Sequence, residues 1–351
     1  MTNHLLILSL IVALLCIQLE ALLPTQLTTL TAPKKTVSKY LTVEMPANSK
    51  EIKEEAAQYL ISSMRKIPVV CPPDISANPI MSTFALLQNR KAEANTATAA
   101  SLFDRLNLFS NNEKEAQRRK KPPILLLHGF DSSALEFRRI APLLAVERDV
   151  YAVDILGWGF IDQEGVQSFS PQAKMEHLRC FIRQIIGKQK CVVVGASLGG
   201  ALAIRLAAES PELVDRVVLI DAQGFIDGKG PADIPDFLAN FGVGVLKSWP
   251  LRMYANILAY FDTKTFATWE AMLIGRLHCF NPTWQRASVD FLQSGGFVTS
   301  PLVSRVKQPT LVIWGANDKI LEPDTIQKFK NALPSNQVRV LDNCGHVPHL
   351  V

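Results

Sequence analysis

The stretch that most constrains this chain is residues 191–208, which predict a strand, a sharp turn and a helix in succession. Residues 191–194 are apolar and mostly β-branched, a pattern typical of a strand covered on both faces. The alanine- and leucine-rich residues 201–208 favour a helix. Between them, residues 195–199 have the pattern Gly-x-Ser-x-Gly, which predicts an elbow with Ser197 at its apex.

The elbow would suit Ser197 to act as a nucleophile. Gly195 and Gly199 lie two residues either side of it, where a returning helix leaves no room for a side chain. The turn would raise the Ser197 hydroxyl above the sheet edge, at a helix N-terminus that favours a developing negative charge. A tight turn in another doubly wound protein would carry the same pattern, so the residues at the other strand ends must decide between the two interpretations.

Six apolar segments separated by helical segments predict an α/β fold with a mostly parallel sheet flanked by helices. The strands are expected at residues 122–127, 150–154, 191–194, 217–221, 310–315 and 338–341, with helices at 134–146 and 171–186. Ligand sites in such sheets lie beyond the carboxyl ends of the strands. We therefore look for functional residues in the loops that follow these strands.

A carboxylate and an imidazole follow the last two predicted strands. Asp318 comes after residues 310–315, and His346 comes after residues 338–341. A serine nucleophile needs a base within hydrogen-bond reach, and that base needs an anion to hold its tautomer. The chain order Ser197, Asp318, His346 fits a catalytic triad with an elbow nucleophile. Asp221, at the end of the strand predicted at residues 217–221, is the alternative acid.

Acyl transfer also needs donors aimed at the oxyanion. The expected donors are the backbone N–H groups of Leu198 and Phe130, and Gly129 would allow the first loop to approach the elbow. The remaining histidines are weaker candidates for the base. His349 lies further from the strand end than His346. Three further histidines are expected to pack against other side chains or to shape loops, namely His128, His177 and His278.

Residues 223–307 form an insertion between the fourth and fifth predicted strands, and it is rich in aromatic residues. A helical cap over the strand ends would explain both its position and its composition. Most of the aromatic side chains are expected in the cap core, and a minority are expected to line an apolar pocket. The sequence thus predicts a small hydrophobic substrate without identifying it.

The N-terminal third differs in composition from the rest. Residues 1–23 contain an apolar run at positions 5–19 that fits the core of a signal peptide, with a retained membrane anchor as the alternative. Residues 24–121 are expected to be a transit-like and linker region with some helix, because residues 21–43 lack acidic side chains. The folded domain is expected at residues 122–351.

Composition excludes several classes of function. The 351-residue chain has a formal net charge of +5, and the charge is too thinly spread to predict binding to nucleic acid. Its six cysteines show neither a CxxC pair nor a zinc spacing. We therefore expect no metal, no cofactor and no disulfide framework.

From residue 122 onward the chain resembles the cap-bearing α/β-hydrolase superfamily of serine hydrolases. The stretches that carry the resemblance are HGF at 128–130, Asp154, GWG at 157–159, GASLG at 195–199, Asp318 and GH at 345–346. The stretches HGFDSS, AVDILGWGF and NCGHVPHL are similar to a chloroplast-located branch of plant and algal hydrolases. The resemblance implies plastid targeting, with the secretory pathway or membrane anchoring as alternatives. It also implies a final helix that is absent after His346 in this sequence.

The sequence therefore predicts a serine hydrolase that cleaves a carboxylic ester or thioester. Two alternatives stay open. One is a non-catalytic or single-turnover ligand-binding protein on the same fold, and the other is a carbon–carbon bond hydrolase. The superfamily branches with an aspartate nucleophile are excluded by Ser197.

Overall fold

A computed structural model describes residues 40–88, 121–229 and 234–351. One nine-stranded sheet runs through these residues. Its strands are β1 (Leu41–Thr42), β2 (Met64–Val69), β3 (Ile80–Leu87), β4 (Ile124–Leu127), β5 (Val150–Val153), β6 (Cys191–Ala196), β7 (Val214–Ile220), β8 (Thr310–Gly315) and β9 (Asn336–Leu341). Their spatial order is β1-β2-β3-β5-β4-β6-β7-β8-β9. The strands from β5 to β9 pair in parallel, and β1, β2 and β3 extend the sheet with antiparallel pairs.

Helices connect the parallel strands, as the sequence predicts, and the predicted α/β fold is confirmed. The α-helices are α1 (Glu55–Ser62), α2 (Ala141–Leu144), α3 (Pro171–Phe181), α4 (Leu198–Glu209), α5 (Asp236–Leu246), α6 (Trp249–Ala259), α7 (Thr263–Phe266), α8 (Trp269–Arg276), α9 (Trp284–Gln293), α10 (Ser300–Val303) and α11 (Thr325–Ala332). The helix expected at 134–146 is instead a 3₁₀ turn, Ala134–Phe137, followed by α2.

The sheet separates two apolar cores because successive strand residues point to opposite faces. In β4, Leu125 and Leu127 belong to the core that contains α3 and α4 residues. Ile124 and Leu126 belong to the other core, which contains Leu60 of α1. Both faces of the central strands are therefore buried, which explains their continuous apolar sequences.

The expectation that residues 24–121 form only a transit-like and linker region is wrong for part of that range. Strand β3 pairs with β5, with Phe84 opposite Val153 and Leu87 opposite Val150. Phe84 is fully buried. The nine-stranded sheet therefore begins before residue 122. The sequence signal was missed because residues 64–87 contain polar positions that become buried only through strand pairing. The predicted targeting segment at 1–23 lies outside the described residues, as do residues 24–39 and 89–120 of the predicted transit-like and linker region.

The insertion between β7 and β8 contains helices α5 to α10, so it forms the helical cap that the sequence predicts. The cap contacts the carboxyl edge of the sheet at several points, including the hydrogen bond from the His346 N–H to the Ala259 carbonyl (2.8 Å). Within the described ranges, every helix is too short or too polar to cross a membrane.

Candidate active site

Ser197 lies at a strained turn between β6 and α4. Its backbone has φ +50° and ψ −119°, a conformation that non-glycine residues rarely adopt. A Cβ on Gly195 would come within 2.3 Å of the Gly199 carbonyl oxygen, and one on Gly199 would come within 2.0 Å of the Leu127 carbonyl oxygen. Only glycine fits at both positions, so the Gly-x-Ser-x-Gly pattern has a direct steric cause.

The elbow is held to the neighbouring strand by backbone hydrogen bonds. The Ser197 N–H donates to the Ile220 carbonyl (3.0 Å), and the Ser197 carbonyl accepts from the Gln223 N–H (2.8 Å). These bonds join the elbow to the end of β7 and to the start of the cap segment. The position of the serine is therefore fixed by the sheet.

His346 and Asp318 form a hydrogen-bonded pair beyond β8 and β9. The His346 Nδ1 donates to Asp318 Oδ2 at 2.8 Å, and Asp318 Oδ1 accepts from the N–H groups of Ile320 (2.7 Å) and Leu321 (3.0 Å). Burial alone would raise the pKa of Asp318, but the bond and charge of His346, with these two N–H donors, lower it. The carboxylate is therefore anionic and fixed in orientation.

Ser197 and His346 line one cavity of about 330 Å³ under the cap. The loop that carries His346 is fixed from two sides. The Asn317 N–H donates to the Cys344 carbonyl (2.9 Å), and Ala259 of α6 accepts from the His346 N–H. Ser197 and the hydrogen-bonded pair of His346 and Asp318, which the sequence proposes as nucleophile, base and acid, therefore border the same cavity.

Asp221, the alternative acid, lies beside this pair and has different surroundings. Its Oδ1 accepts from the Gly315 N–H (2.9 Å), and its Oδ2 has no partner among the described residues. Burial, reinforced by the nearby Asp318 charge, raises the pKa of Asp221 well above its usual value. The imidazole is bonded to Asp318 and not to Asp221. The shift therefore favours the protonated form of the buried Asp221 carboxyl group.

The two predicted oxyanion donors have free N–H groups. Among the described residues, neither the Phe130 N–H nor the Leu198 N–H takes part in a hydrogen bond. The preceding Gly129 N–H donates to Glu136 Oε2 at 2.9 Å. A Cβ on Gly129 would lie 3.3 Å from the Ser197 Cβ, so the loop passes close above the elbow.

Glu136 and His349 form a buried pair that sequence reasoning did not identify. His349 Nε2 lies 3.1 Å from Glu136 Oε1, and both residues line the cavity. Burial opposes ionisation of Glu136, but the hydrogen bond and charge of His349 outweigh it and lower the Glu136 pKa to about 2. No signal in the sequence distinguished Glu136 from other acidic residues in a helical segment, because its partner lies far along the chain.

The cavity wall contributed by the cap is mostly apolar. Helices α6 and α8 both contribute side chains to this wall. The apolar lining residues of these two helices are Leu251, Ala255, Ala259, Ala271, Met272 and Ile274. The side-chain nitrogen of Asn256 lies in this wall, buried and without a partner among the described residues.

Two buried groups have the residue types of a metal site. One contains Asp131, His278 and Cys279, and the other contains Asp221, Asp318 and His346. In the first group the guanidinium of Arg252 already contacts both Asp131 and Cys279, so a cation is already present there. In the second, the imidazole nitrogen nearest the carboxylates is bonded to Asp318. Protein partners thus occupy most of the ligand atoms of both groups, and Asp221 Oδ2 is an exception.

Comparison with known proteins gives one family and several relatives. The family described as "alpha/beta hydrolase fold" matches residues 122–351. The alpha/beta hydrolase domain-containing protein VTE7 of Arabidopsis thaliana is 38% identical over 236 residues, which cover 67% of this chain and 71% of VTE7. This chain is thus similar to a plant protein over about two thirds of its length.

Two bacterial relatives are more distant. The 2-hydroxy-6-oxo-6-(2'-aminophenyl)hexa-2,4-dienoic acid hydrolase of Metapseudomonas resinovorans is 27% identical over 235 residues, which cover 65% of this chain and 78% of that protein. Lipase 1 of Psychrobacter immobilis is 26% identical over 231 residues, which cover 64% and 71%. Each of these matches spans about two thirds of the chain.

Proposed function

The chain belongs to the α/β-hydrolase fold family and is a hydrolase, and from this premise we propose that it cleaves a carboxylic ester or thioester through an acyl-enzyme. The observation that carries the proposal is the contact between His346 and Asp318 at a cavity that also exposes Ser197. An imidazole oriented by an anion next to an elbow serine is the arrangement that serine acyl transfer requires.

In this mechanism Ser197 Oγ attacks the substrate carbonyl while His346 Nε2 accepts the hydroxyl proton. The negative charge of Asp318 stabilises the imidazolium that forms. The oxyanion of the tetrahedral intermediate accepts hydrogen bonds from the N–H groups of Phe130 and Leu198. His346 then donates this proton to the leaving alcohol or thiol. In the second half of the reaction, His346 accepts a proton from the water that attacks the acyl-enzyme, and it donates that proton to Ser197 Oγ as the carboxylic acid is released.

The substrate class follows from the cavity wall. Most of the side chains that α6 and α8 place in this wall are apolar, so we propose a small substrate with a hydrophobic acyl or alcohol group. The name of Lipase 1 supports an ester as the bond cleaved. The name of the Metapseudomonas resinovorans relative contains no ester, so it favours carbon–carbon bond hydrolysis as the second candidate.

We also propose a plastid location, with membrane association through residues 5–19 if that segment is retained. The plant origin of VTE7 and the transit-like composition of residues 21–43 support the location. No nucleic acid partner is proposed, because the net charge of +5 is thinly spread.

The proposed function is tested with a fluorophosphonate probe and a panel of aryl and alkyl esters. The unmodified protein should be labelled and should turn over repeatedly, and Ser197→Ala should do neither. Labelling that survives the substitution would contradict the assignment of the nucleophile. A single turnover followed by a stable acyl adduct would instead favour the ligand-binding alternative, and multiple turnover of a vinylogous 1,5-diketone but of no ester would favour the carbon–carbon bond hydrolase.

A further inference from the structure

We propose that Asp131 is a positioning residue that joins the cap to the loop carrying the oxyanion donor Phe130. The inference rests on the proposed function, because it assigns a role to a residue that acts on the oxyanion site. Asp131 lies immediately after Phe130 and is 5% exposed, and it contacts side chains from three separate elements of the cap.

The carboxylate of Asp131 is fully occupied by cap donors. Its Oδ1 accepts from His278 Nε2 (2.8 Å) and from the indole Nε1–H of Trp284 (2.7 Å). Its Oδ2 accepts from Arg252 Nη2, and Arg252 Nη1 donates to the Asp131 backbone carbonyl at 3.1 Å. These donors come from α9, from the 3₁₀ turn Leu277–Phe280 and from α6. One side chain thus links three cap elements to one loop.

The backbone of Asp131 shows why these contacts bear on the loop geometry. Its φ of +50° lies in the left-handed region, which costs free energy for a residue with a Cβ. Aspartate tolerates this region better than most residues, but it stays there only when its surroundings hold it. The cap donors, including the one that reaches its backbone carbonyl, supply that constraint.

Phe130 is therefore held between two fixed neighbours. On one side, the Gly129 N–H is bonded to Glu136, which belongs to the sheet side of the cavity. On the other side, Asp131 is bonded to the cap. The Phe130 ring also lies 5.3 Å from the ring of Trp158 and 6.1 Å from that of Phe291. The direction of the free Phe130 N–H therefore depends on the contacts between Asp131 and the cap.

The charges of the cluster agree with this role. Burial opposes ionisation of Asp131, yet the hydrogen bond from His278 and the charge of Arg252 lower its pKa to about 2. Burial also opposes the charge on His278, but its neighbours Cys279 and Asp131 outweigh burial and raise the His278 pKa to about 9. Removing the Asp131 carboxylate would leave the buried His278 and the partly buried Arg252 without their anion, and loss of one partner of a buried ion pair is destabilising in general.

Trp284→Phe is the most informative test because it removes one donor to Asp131 and keeps an aromatic ring at this buried position. Trp284 is 1% exposed and does not line the cavity, so we expect substrate binding to be unchanged. We expect kcat to fall about tenfold with KM unchanged, since small displacements of catalytic groups cost up to ~10²-fold. The fluorophosphonate labelling rate should fall in parallel, because the phosphonyl adduct uses the same oxyanion donors.

Trp314→Phe is the matched control. Trp314 is also a fully buried tryptophan, but it lies in β8 and its Nε1 has no partner among the described residues. Both variants should lower the melting temperature, and only Trp284→Phe should lower kcat. Equal effects of the two substitutions on kcat would overturn the proposal, because they would indicate a general packing effect.

A double-mutant cycle tests whether Trp284 acts through Asp131. We expect Asp131→Asn to lower kcat by about 10²-fold, and Trp284→Phe to add less than twofold in that background. Independent, multiplicative effects would refute the coupling. If Asp131→Asn does not fold, the comparison of the two tryptophan variants still decides. The two failures give different results. Activity retained in Ser197→Ala would contradict the proposed function, whereas equal effects of the two tryptophan substitutions on kcat would contradict this inference alone.

Discussion

Two buried carboxyl groups lie beside His346, and their surroundings give them different protonation states. Asp318 accepts three hydrogen bonds and has a lowered pKa, whereas Asp221 has a free oxygen and a raised pKa. The proximity of Asp318 is one cause of the shift at Asp221. These opposite shifts favour the protonated form of Asp221 and the ionised form of Asp318, the residue bonded to the imidazole.

This difference predicts opposite outcomes for two similar substitutions. Asp318→Asn removes the anion that orients His346 and stabilises its charged form, so kcat should fall by about 10⁴-fold. Asp221→Asn replaces a neutral acid by a neutral amide of the same shape, so kcat should stay within about threefold. Steady-state kinetics on one ester, with both variants folded by circular dichroism, makes the comparison. A large loss of kcat in Asp221→Asn alone would make Asp221 the acid.

Stability should respond to pH in the direction set by the raised pKa of Asp221. An unfolded aspartate ionises near pH ~3.9, whereas the folded Asp221 stays protonated, so its burial destabilises the fold increasingly as pH rises above that value. Asp221→Asn removes this penalty. We expect the variant to melt above the unmodified protein at pH 7.5, with the gap shrinking as pH falls to 4. A gap that is constant with pH would contradict the assignment.

At the scale of elements, the parallel strands and the elbow could be predicted because their signals are local. Residues 191–200 carry their own sterics, and each parallel strand is an apolar run. The antiparallel strands β2 and β3 were missed because polar residues such as Ser82 and Thr83 are buried only by contacts with distant residues, His177 and Asp154. The cap contacts of Asp131 were missed for the same reason, since their sequence separation exceeds one hundred residues.

Helix α6 places one free donor in an apolar wall. The nitrogen donors of Arg252 are used by Leu246, Asp131 and Cys279, whereas the Asn256 side-chain nitrogen has no partner in the described part of the chain. A buried donor without a partner costs free energy that a bound acceptor would recover. Helix α6 is thus suited to a substrate that carries an acceptor atom besides the scissile group.

Asn256→Leu tests whether the Asn256 amide binds an acceptor atom of the substrate. The substitution should lower kcat/KM by about tenfold for an ester with an ether or carbonyl oxygen in its hydrophobic part, because the acceptor would be buried unpaired. It should leave the matched alkyl ester unchanged or improved. Met253→Leu, on the same helix but outside the cavity lining, is the control. Equal effects of Asn256→Leu on both esters would rule out recognition by this amide.

At the scale of the whole molecule, the N-terminal strands complete the sheet of the family domain. β3 covers the edge of β5 through four residue pairs, and Phe84 packs against the rings of Tyr151 and Phe181. Helix α1 adds Ala57 and Leu60 to the core on the other face. The family match begins only at residue 122, so residues 40–88 contribute structure beyond the matched region.

A chain of residues 122–351 should therefore fail to fold, whereas residues 40–351 should fold and react with the fluorophosphonate probe. Without β3, strand β5 becomes an exposed apolar edge, which is prone to pair with other chains. The buried surface of Phe84 and its neighbours would also open to water, and each buried aromatic of this size typically contributes ~1.5–3 kcal/mol. Gel filtration and thermal melting followed by circular dichroism compare the two chains. A monomeric 122–351 chain with a cooperative melt would show that the family domain folds without these strands.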